Sequence, residues 1–165
     1  MQGKGIDELL DAVAEIGREN KDVKLYIGGI FEEESYRKRI EGNDLAEFLG
    51  WISGKDKEKY LDECGIFVLP SYYEGFPVSV LEAMASGCVV VASEVGGIPD
   101  VVTDGETGIL IPPKDPEMLK NAVLKVMNDR TLADKLRVSA FKKVRENYSS
   151  STSVERLVNI YNSLV

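Results

Sequence analysis

Two carboxylates stand near each other in a stretch of the chain that has the features of a ligand site. Glu74 follows the apolar run 66–70, and a short loop ending at Pro77 separates it from Glu82. The apolar run predicts a buried parallel strand, and the residues from Pro77 to Gly87 predict a helix. Both carboxylates would then overlook the N-terminus of that helix, where free N–H groups and the helix dipole favour anions. Carboxylates for hydroxyl groups and a helix end for phosphate together predict a nucleotide-sugar site.

The residues between the two carboxylates carry a recognisable pattern, E-G-F-P-x-x-x-L-E-A-M-A. This segment resembles the E-x₇-E signature of group-1 retaining glycosyltransferases, whose GT-B fold has two facing Rossmann-like domains. Further similarity lies in the segments 4–7, 96–102 and 104–110. Nearly the whole chain therefore resembles the C-terminal, donor-binding domain of such an enzyme.

The resemblance implies a role for each matching residue. Glu74 and Lys4 are the predicted catalytic residues: Glu74 would accept hydrogen bonds from the donor sugar, and Lys4 would bind the diphosphate and stabilise leaving-group charge. Glu82 would accept from both ribose hydroxyls. The other predicted donor-binding residues would offer backbone N–H groups or line the cleft, and they are Gly75, Phe76, Val78, Ser79, Gly96 and Gly97.

Simpler roles stay open for several of these residues. Glu74 could be a solvated loop carboxylate and Glu82 an ordinary exposed helix residue. Phe76 could equally anchor the loop by packing, and Ser79 could cap the helix. The resemblance also places the nucleobase near Trp51 and Ile52, at the end of a predicted strand.

Bulk composition restricts the kinds of partner. The 165 residues predict a single domain, and the net charge of −8 without a dense basic patch argues against nucleic acid. There is no histidine, so a histidine base or metal ligand would come from another chain or domain. The resemblance, together with the lack of an Asp-x-Asp element, predicts no metal and no cofactor. The donor substrate would be a UDP-, GDP- or ADP-sugar.

The two cysteines and the start of the chain bear on location. Cys64 and Cys88 each stand beside an apolar strand, which predicts buried, reduced thiols. No apolar run has membrane-spanning length, and no charged-then-apolar leader follows Met1. These features predict a cytoplasmic protein, with peripheral membrane association only through a partner domain.

Hydrophobic periodicity predicts alternating helices and strands, hence an α/β, Rossmann-like, doubly wound parallel sheet with helices on both faces. The predicted strands are 23–27, 47–51, 66–70, 89–92 and 108–111. Helices are predicted over 6–19, 32–40, 55–64, 77–87 and 131–147, with another that Asp115 caps. The segment 150–165 is expected to be a C-terminal helix that packs toward an N-terminal domain.

The order of elements begins with a helix, whereas alternating βα units begin with a strand. The resemblance places that strand in the middle of the sheet, with an arginine that binds the donor phosphates. A gap there leaves two unpaired edges. We therefore expect marginal stability, or a sheet that is rearranged or completed by a partner.

The favoured function is the donor domain of a retaining glycosyltransferase that transfers a hexose to an alcohol acceptor in polysaccharide or glycolipid synthesis. An N-terminal acceptor-binding domain or subunit would be the partner, so this chain alone is expected to be inactive. A second interpretation is a non-catalytic nucleotide-sugar-binding or assembly module beside a separate acceptor-binding subunit. A third is another doubly wound protein, such as a dehydrogenase, although Gly28 and Gly29 lack the third glycine of a dinucleotide fingerprint.

Overall fold

The computed structural model describes residues 3–30 and 34–163, and within these ranges helices and strands alternate along the chain. The strands are β1 (Leu25–Gly28), β2 (Ala46–Gly50), β3 (Ile66–Leu69), β4 (Val89–Ser93) and β5 (Ile109–Ile111). The helices are α1 (Ile6–Glu19), α2 (Glu34–Glu41), α3 (Gly54–Glu63), α4 (Val78–Ala85), α5 (Ile98–Val101), α6 (Pro116–Asn128), α7 (Arg130–Asn147) and α8 (Ser150–Ser163).

The predicted elements are confirmed, with ends that differ by at most two residues where the chain enters or leaves a turn. Trp51 lies just beyond β2 and not inside a strand. The first two positions of the predicted helix 32–40 lie outside the described residues. Helix α5 has no counterpart among the predictions, because four residues are too few for a helical pattern to show.

Strand β4 organises the core because both of its faces are covered. It lies between β3 and β5, all three run parallel, and every one of its residues is buried. Val89 and Val91 join a cluster with α1 and α6, whereas Val90 and Ala92 join a cluster with α4 and α5. This alternation follows from the two-residue period of a strand, and it confirms a parallel sheet with helices on both faces.

The sheet is divided into two parts, which is the form that a missing central strand predicts. Strand β1 pairs only with β2, and β3 pairs only with β4, among the residues that the structure describes. Between β1 and β3 lies a largely apolar cavity of about 340 Å³. Its lining comes mainly from α1, α6 and the two strands, including Leu9, Val13, Ile16, Leu25, Ile66, Val68, Leu119 and Val123. Whether this gap lowers stability stays a prediction.

The last helix, α8, presents an apolar row to solvent. None of its described residues is buried, and the large exposed side chains are Val154, Leu157, Val158, Ile160 and Tyr161. The helix itself is as predicted through residue 163, and residues 164 and 165 lie outside the described part. Its packing on an N-terminal domain stays a prediction. None of the helices in the described ranges is long and apolar enough to cross a membrane.

Candidate functional site

The site forms where β3 ends and the loop 70–77 begins. The backbone N–H of Tyr72 in this loop donates to the carbonyl oxygen of Gly3 at 2.7 Å. Gly5, with φ of 64°, lies so close to the loop that a Cβ atom would stand 2.0 Å from the carbonyl oxygen of Pro70. Only glycine tolerates both that conformation and that contact. The segment before α1 is therefore held against the loop, and this places Lys4 beside it.

The two predicted catalytic residues meet in this structure. Lys4 Nζ lies 2.5 Å from Glu74 Oε1, and the hydroxyl of Ser71 donates to the same oxygen at 2.7 Å. The Glu74 side chain is only 14% exposed, whereas that of Lys4 is 45% exposed. Glu74 is thus a held, charge-compensated carboxylate and not the freely solvated loop residue that the simpler interpretation allowed.

The predicted glycine pair after β4 packs directly against the loop of Glu74. A Cβ atom on Gly96 would stand 1.7 Å from the carbonyl oxygen of Glu74, and one on Gly97 would stand 2.3 Å from that of Gly75. The backbone N–H of Gly97 also donates to the carbonyl oxygen of Gly75 at 3.0 Å. The glycines therefore allow two loops, from neighbouring strands, to lie backbone against backbone, and they set the position of Glu74.

Helix α4 begins directly after this loop, and its first turn differs from the prediction at one residue. The N–H of Val78 was predicted to face the donor substrate, but it donates to the carbonyl oxygen of Phe76 at 3.0 Å. Because Pro77 closes a tight turn there, this N–H group is already hydrogen-bonded within the chain. The N–H of Ser79 has no acceptor among the described residues, so it is the donor of the first turn that remains for a ligand.

Phe76 and Gly75 are both exposed in the loop. The Phe76 ring lies 6.4 Å from the ring of Tyr148, centroid to centroid, and the Tyr148 hydroxyl donates to the carbonyl oxygen of Asp100 at 3.0 Å. This contact connects the loop with α7 and α5, and it supports the packing role that was left open for Phe76.

Glu82 lies on the second turn of α4 and forms an ion pair with Lys57 of α3, through Glu82 Oε2. No pattern in the sequence indicates Lys57, because it stands in a run of alternating charges that reads as an ordinary solvated helix face. Trp51, in the loop before α3, is 72% exposed and open to a ligand, whereas the side chain of Ile52 packs over Gly28. A nucleobase contact there stays a prediction.

A second polar cluster supports the loop from the side of α1. The Tyr72 hydroxyl donates to Glu8 Oε1 at 2.6 Å, and this bond is the main reason why the pKa of Tyr72 is raised to about 12. Lys114 Nζ lies 4.8 Å from the centroid of the Tyr72 ring.

The described residues contain no cluster of three or more cysteine and acidic side chains that could hold a metal ion.

Both cysteines are free, as expected, but only Cys88 is buried as predicted, whereas Cys64 is half-buried at the end of α3. The Cys88 thiol donates to the carbonyl oxygen of Leu61 at 3.1 Å, and burial raises its pKa to about 11. Burial also raises the pKa of the Cys64 thiol, with a smaller contribution from the charge of Glu63. Neither thiol is therefore set up as a nucleophile.

Comparison with known proteins agrees with the geometry. The family model "Glycosyl transferases group 1" matches residues 2–143. An uncharacterized glycosyltransferase of Methanocaldococcus jannaschii is 32% identical over 162 residues, covering 96% of this chain and 41% of that protein. The chain spans about two fifths of the length of the curated relatives that it matches.

Two solved structures share the fold. The C-terminal domain of a glycosyl transferase group 1 protein (LpcC) from Francisella tularensis has a TM-score of 0.81 at 24% identity, covering 91% of this chain and 82% of that one. Anabaena HepE in complex with UDP-glucose has a TM-score of 0.87 at 23% identity, covering 99% and 46%. The chain belongs to the glycosyl transferases group 1 family, and it has the α/β fold of the C-terminal domain of these GT-B enzymes.

Proposed function

We propose that this chain is the donor-binding domain of a retaining glycosyltransferase, which takes a hexose from a nucleoside diphosphate sugar. The observation that carries the proposal is a pair of carboxylates, each of which forms an ion pair with a lysine. Glu74 lies in the loop before α4, and Glu82 lies on the second turn of α4. Carboxylates that are held in place bind sugar and ribose hydroxyls well, because hydrogen bonds to a charged acceptor are the strong ones.

The reaction breaks the bond between the anomeric carbon and the diphosphate oxygen, and it forms a bond from that carbon to the acceptor oxygen. The acceptor oxygen loses its proton, which the departing diphosphate or the solvent takes up. Negative charge then grows on the departing diphosphate. Lys4 and the N-terminus of α4, with the free N–H of Ser79, are the groups of this chain that would stabilise it. Glu74 would hold the sugar hydroxyls while the bond breaks, so that the anomeric carbon faces the acceptor.

The identity of the donor base is suggested by a structural neighbour. HepE, which shares the fold, has been solved with UDP and with UDP-glucose. We therefore take UDP and UDP-glucose as the first ligands to test, with GDP, ADP and GDP-mannose as alternatives.

The acceptor would be bound by residues outside this chain. The chain covers less than half of its relatives and of HepE, and we propose that an N-terminal domain or a separate subunit supplies the other half. The chain alone would then bind the donor without transferring sugar. Cytoplasmic location and an alcohol acceptor on a polysaccharide or glycolipid are part of the same proposal.

The test is calorimetric titration of the folded chain with these nucleotides, together with the variant Glu82→Ala. Loss of roughly 1.5–3 kcal/mol in total from charged hydrogen bonds predicts a 10- to 100-fold weaker affinity. The matched control is Glu155→Ala, which removes an exposed helix carboxylate from α8 and should leave the affinity unchanged. A folded chain that binds none of these nucleotides, or equal losses in both variants, would contradict the proposal.

A further inference from the structure

Lys57 reaches the predicted ribose carboxylate from a different helix. It lies on α3, twenty-five residues before Glu82 of α4, and its ammonium group contacts Glu82 Oε2. The Lys57 side chain is the more covered partner, 29% exposed against 44% for Glu82. A lysine with a packed stem holds its charge in a narrower region than a freely solvated one. The pair is therefore a contact between two helices and not only a chance meeting of two mobile side chains.

The geometry leaves room for ribose on the same carboxylate. Lys57 contacts Oε2 alone, and an ionised carboxylate has about four acceptor positions on its two oxygens. Among the described residues Oε1 has no hydrogen-bond partner, so Oε1 and the second position on Oε2 stay available for two hydroxyl donors. The lysine and the ribose are thus not competitors for Glu82, and the lysine can restrict the carboxylate to one orientation.

Charge gives the pair a second consequence. The chain has a net charge of −8, and two carboxylates beside a diphosphate would repel it. Lys4 compensates Glu74, and Lys57 compensates Glu82. Each of these two carboxylates therefore presents its oxygens to hydroxyl groups with its charge compensated by a lysine.

We propose that Lys57 is a positioning residue for the donor nucleotide, which orients the Glu82 carboxylate toward the ribose hydroxyls and cancels its charge. This inference rests on the proposed function. The simplest alternative is that the pair is an exposed ion pair of little consequence, since many such pairs contribute nothing measurable.

The test compares a ribonucleotide with its 2′-deoxy form, because only the ribonucleotide offers both hydroxyls to Glu82. The probes are UDP and 2′-deoxy-UDP, or the GDP or ADP pair if the wild-type chain binds that base. The variants are Lys57→Met, which keeps most of the apolar stem and removes the charge, and Lys57→Arg, which keeps the charge. Lys59→Met is the matched control, because Lys59 is an exposed lysine of the same helix.

We expect Lys57→Met to weaken ribonucleotide binding by roughly 3- to 10-fold, and to lower the preference for ribose over deoxyribose by a similar factor. Lys57→Arg should restore both values to within about twofold, and Lys59→Met should change neither. A purely structural role would weaken the two nucleotides equally and would leave the preference unchanged. Lys57→Gln provides a second uncharged variant if urea unfolding shows that the methionine variant is not folded.

Each outcome decides the question. A Lys57→Met variant with an unchanged ribose preference overturns the positioning role, whatever its absolute affinity. A folded wild-type chain that binds no nucleotide contradicts the proposed function, and the inference fails with it. A wild-type chain that binds nucleotide without preferring ribose contradicts the role of Glu82, which separates that failure from one of Lys57.

Discussion

Substituting Gly97 by alanine tests the contact that positions the loop of Glu74. The φ of Gly97 is −83°, a conformation that alanine adopts freely, so the substitution adds a contact without backbone strain. The new Cβ atom would stand 2.3 Å from the carbonyl oxygen of Gly75, and a separation of 3.0 Å is the least that such contacts allow. The two loops must therefore move apart by about 0.7 Å.

This displacement has two expected costs. Overpacking of this kind lowers the free energy of unfolding by about 1–3 kcal/mol. Weakening of the hydrogen bond from the Gly97 N–H to the Gly75 carbonyl oxygen contributes to that loss. Because Glu74 is the neighbour of Gly75, its carboxylate would move as well. A misplacement near 1 Å can reduce the activity of a site by up to about 100-fold, so we expect donor affinity to fall by roughly tenfold or more.

Urea unfolding measures the first cost, and calorimetric titration with the nucleotide sugar measures the second. The control is Gly65→Ala, whose Cβ atom would meet only the guanidinium group of Arg137, at 3.4 Å, and should cost less than about 0.5 kcal/mol. If the Gly97→Ala variant has the same stability in urea and the same donor affinity as the wild-type chain, the two loops are not in contact in solution. If it is destabilised but binds normally, the glycines support the fold without positioning the site.

Two further predictions concern the cluster around Tyr72. Lys114 is the non-glycine residue with a left-handed φ (65°) among the described residues, so Lys114→Gly should be more stable than Lys114→Ala by about 1 kcal/mol in urea unfolding, whereas equal stabilities would argue against that backbone conformation. The bond from Tyr72 to Glu8 raises the pKa of Tyr72 to about 12 from 10.0, so its stabilising effect is present below pH 10 and lost as the pH rises through 12. In an absorbance titration of the tyrosines, Tyr72→Phe should remove a phenol that ionises near pH 12; loss of one that ionises near pH 10 instead would show that this bond is absent.

Much of the fold follows from local pattern. The run of β-branched residues in β4 predicts a strand buried on both faces, and the spacing of Leu9, Val13 and Ile16 predicts the face of α1 that packs inward. Asp115 was predicted to cap α6, and its side chain accepts from the N–H of Met118 at 2.8 Å. Such features depend on residues a few positions apart, so the order of residues is enough to indicate them.

The first turn of α4 shows where local pattern is insufficient. Proline at the start of a helix predicted free N–H groups after it, and Val78 was included among them. The chain instead closes a tight turn in which the carbonyl oxygen of Phe76 accepts from the N–H of Val78, and in that first turn only the N–H of Ser79 has no acceptor among the described residues. The difference depends on backbone angles at Pro77, which the identity of the residue restricts but does not determine.

The sequence by itself indicated the candidate residues for a nucleotide-sugar site, because the E-x₇-E segment joins a strand, a loop and a helix within a single stretch of chain. Tertiary structure decided how those residues are held. Gly97 meets Gly75, Lys4 meets Glu74 and Lys57 meets Glu82 across separations that no short-range pattern reports. The physical reason is that contacts between neighbouring loops and helices depend on how strands line up in the sheet, and that alignment arises only when the whole core packs.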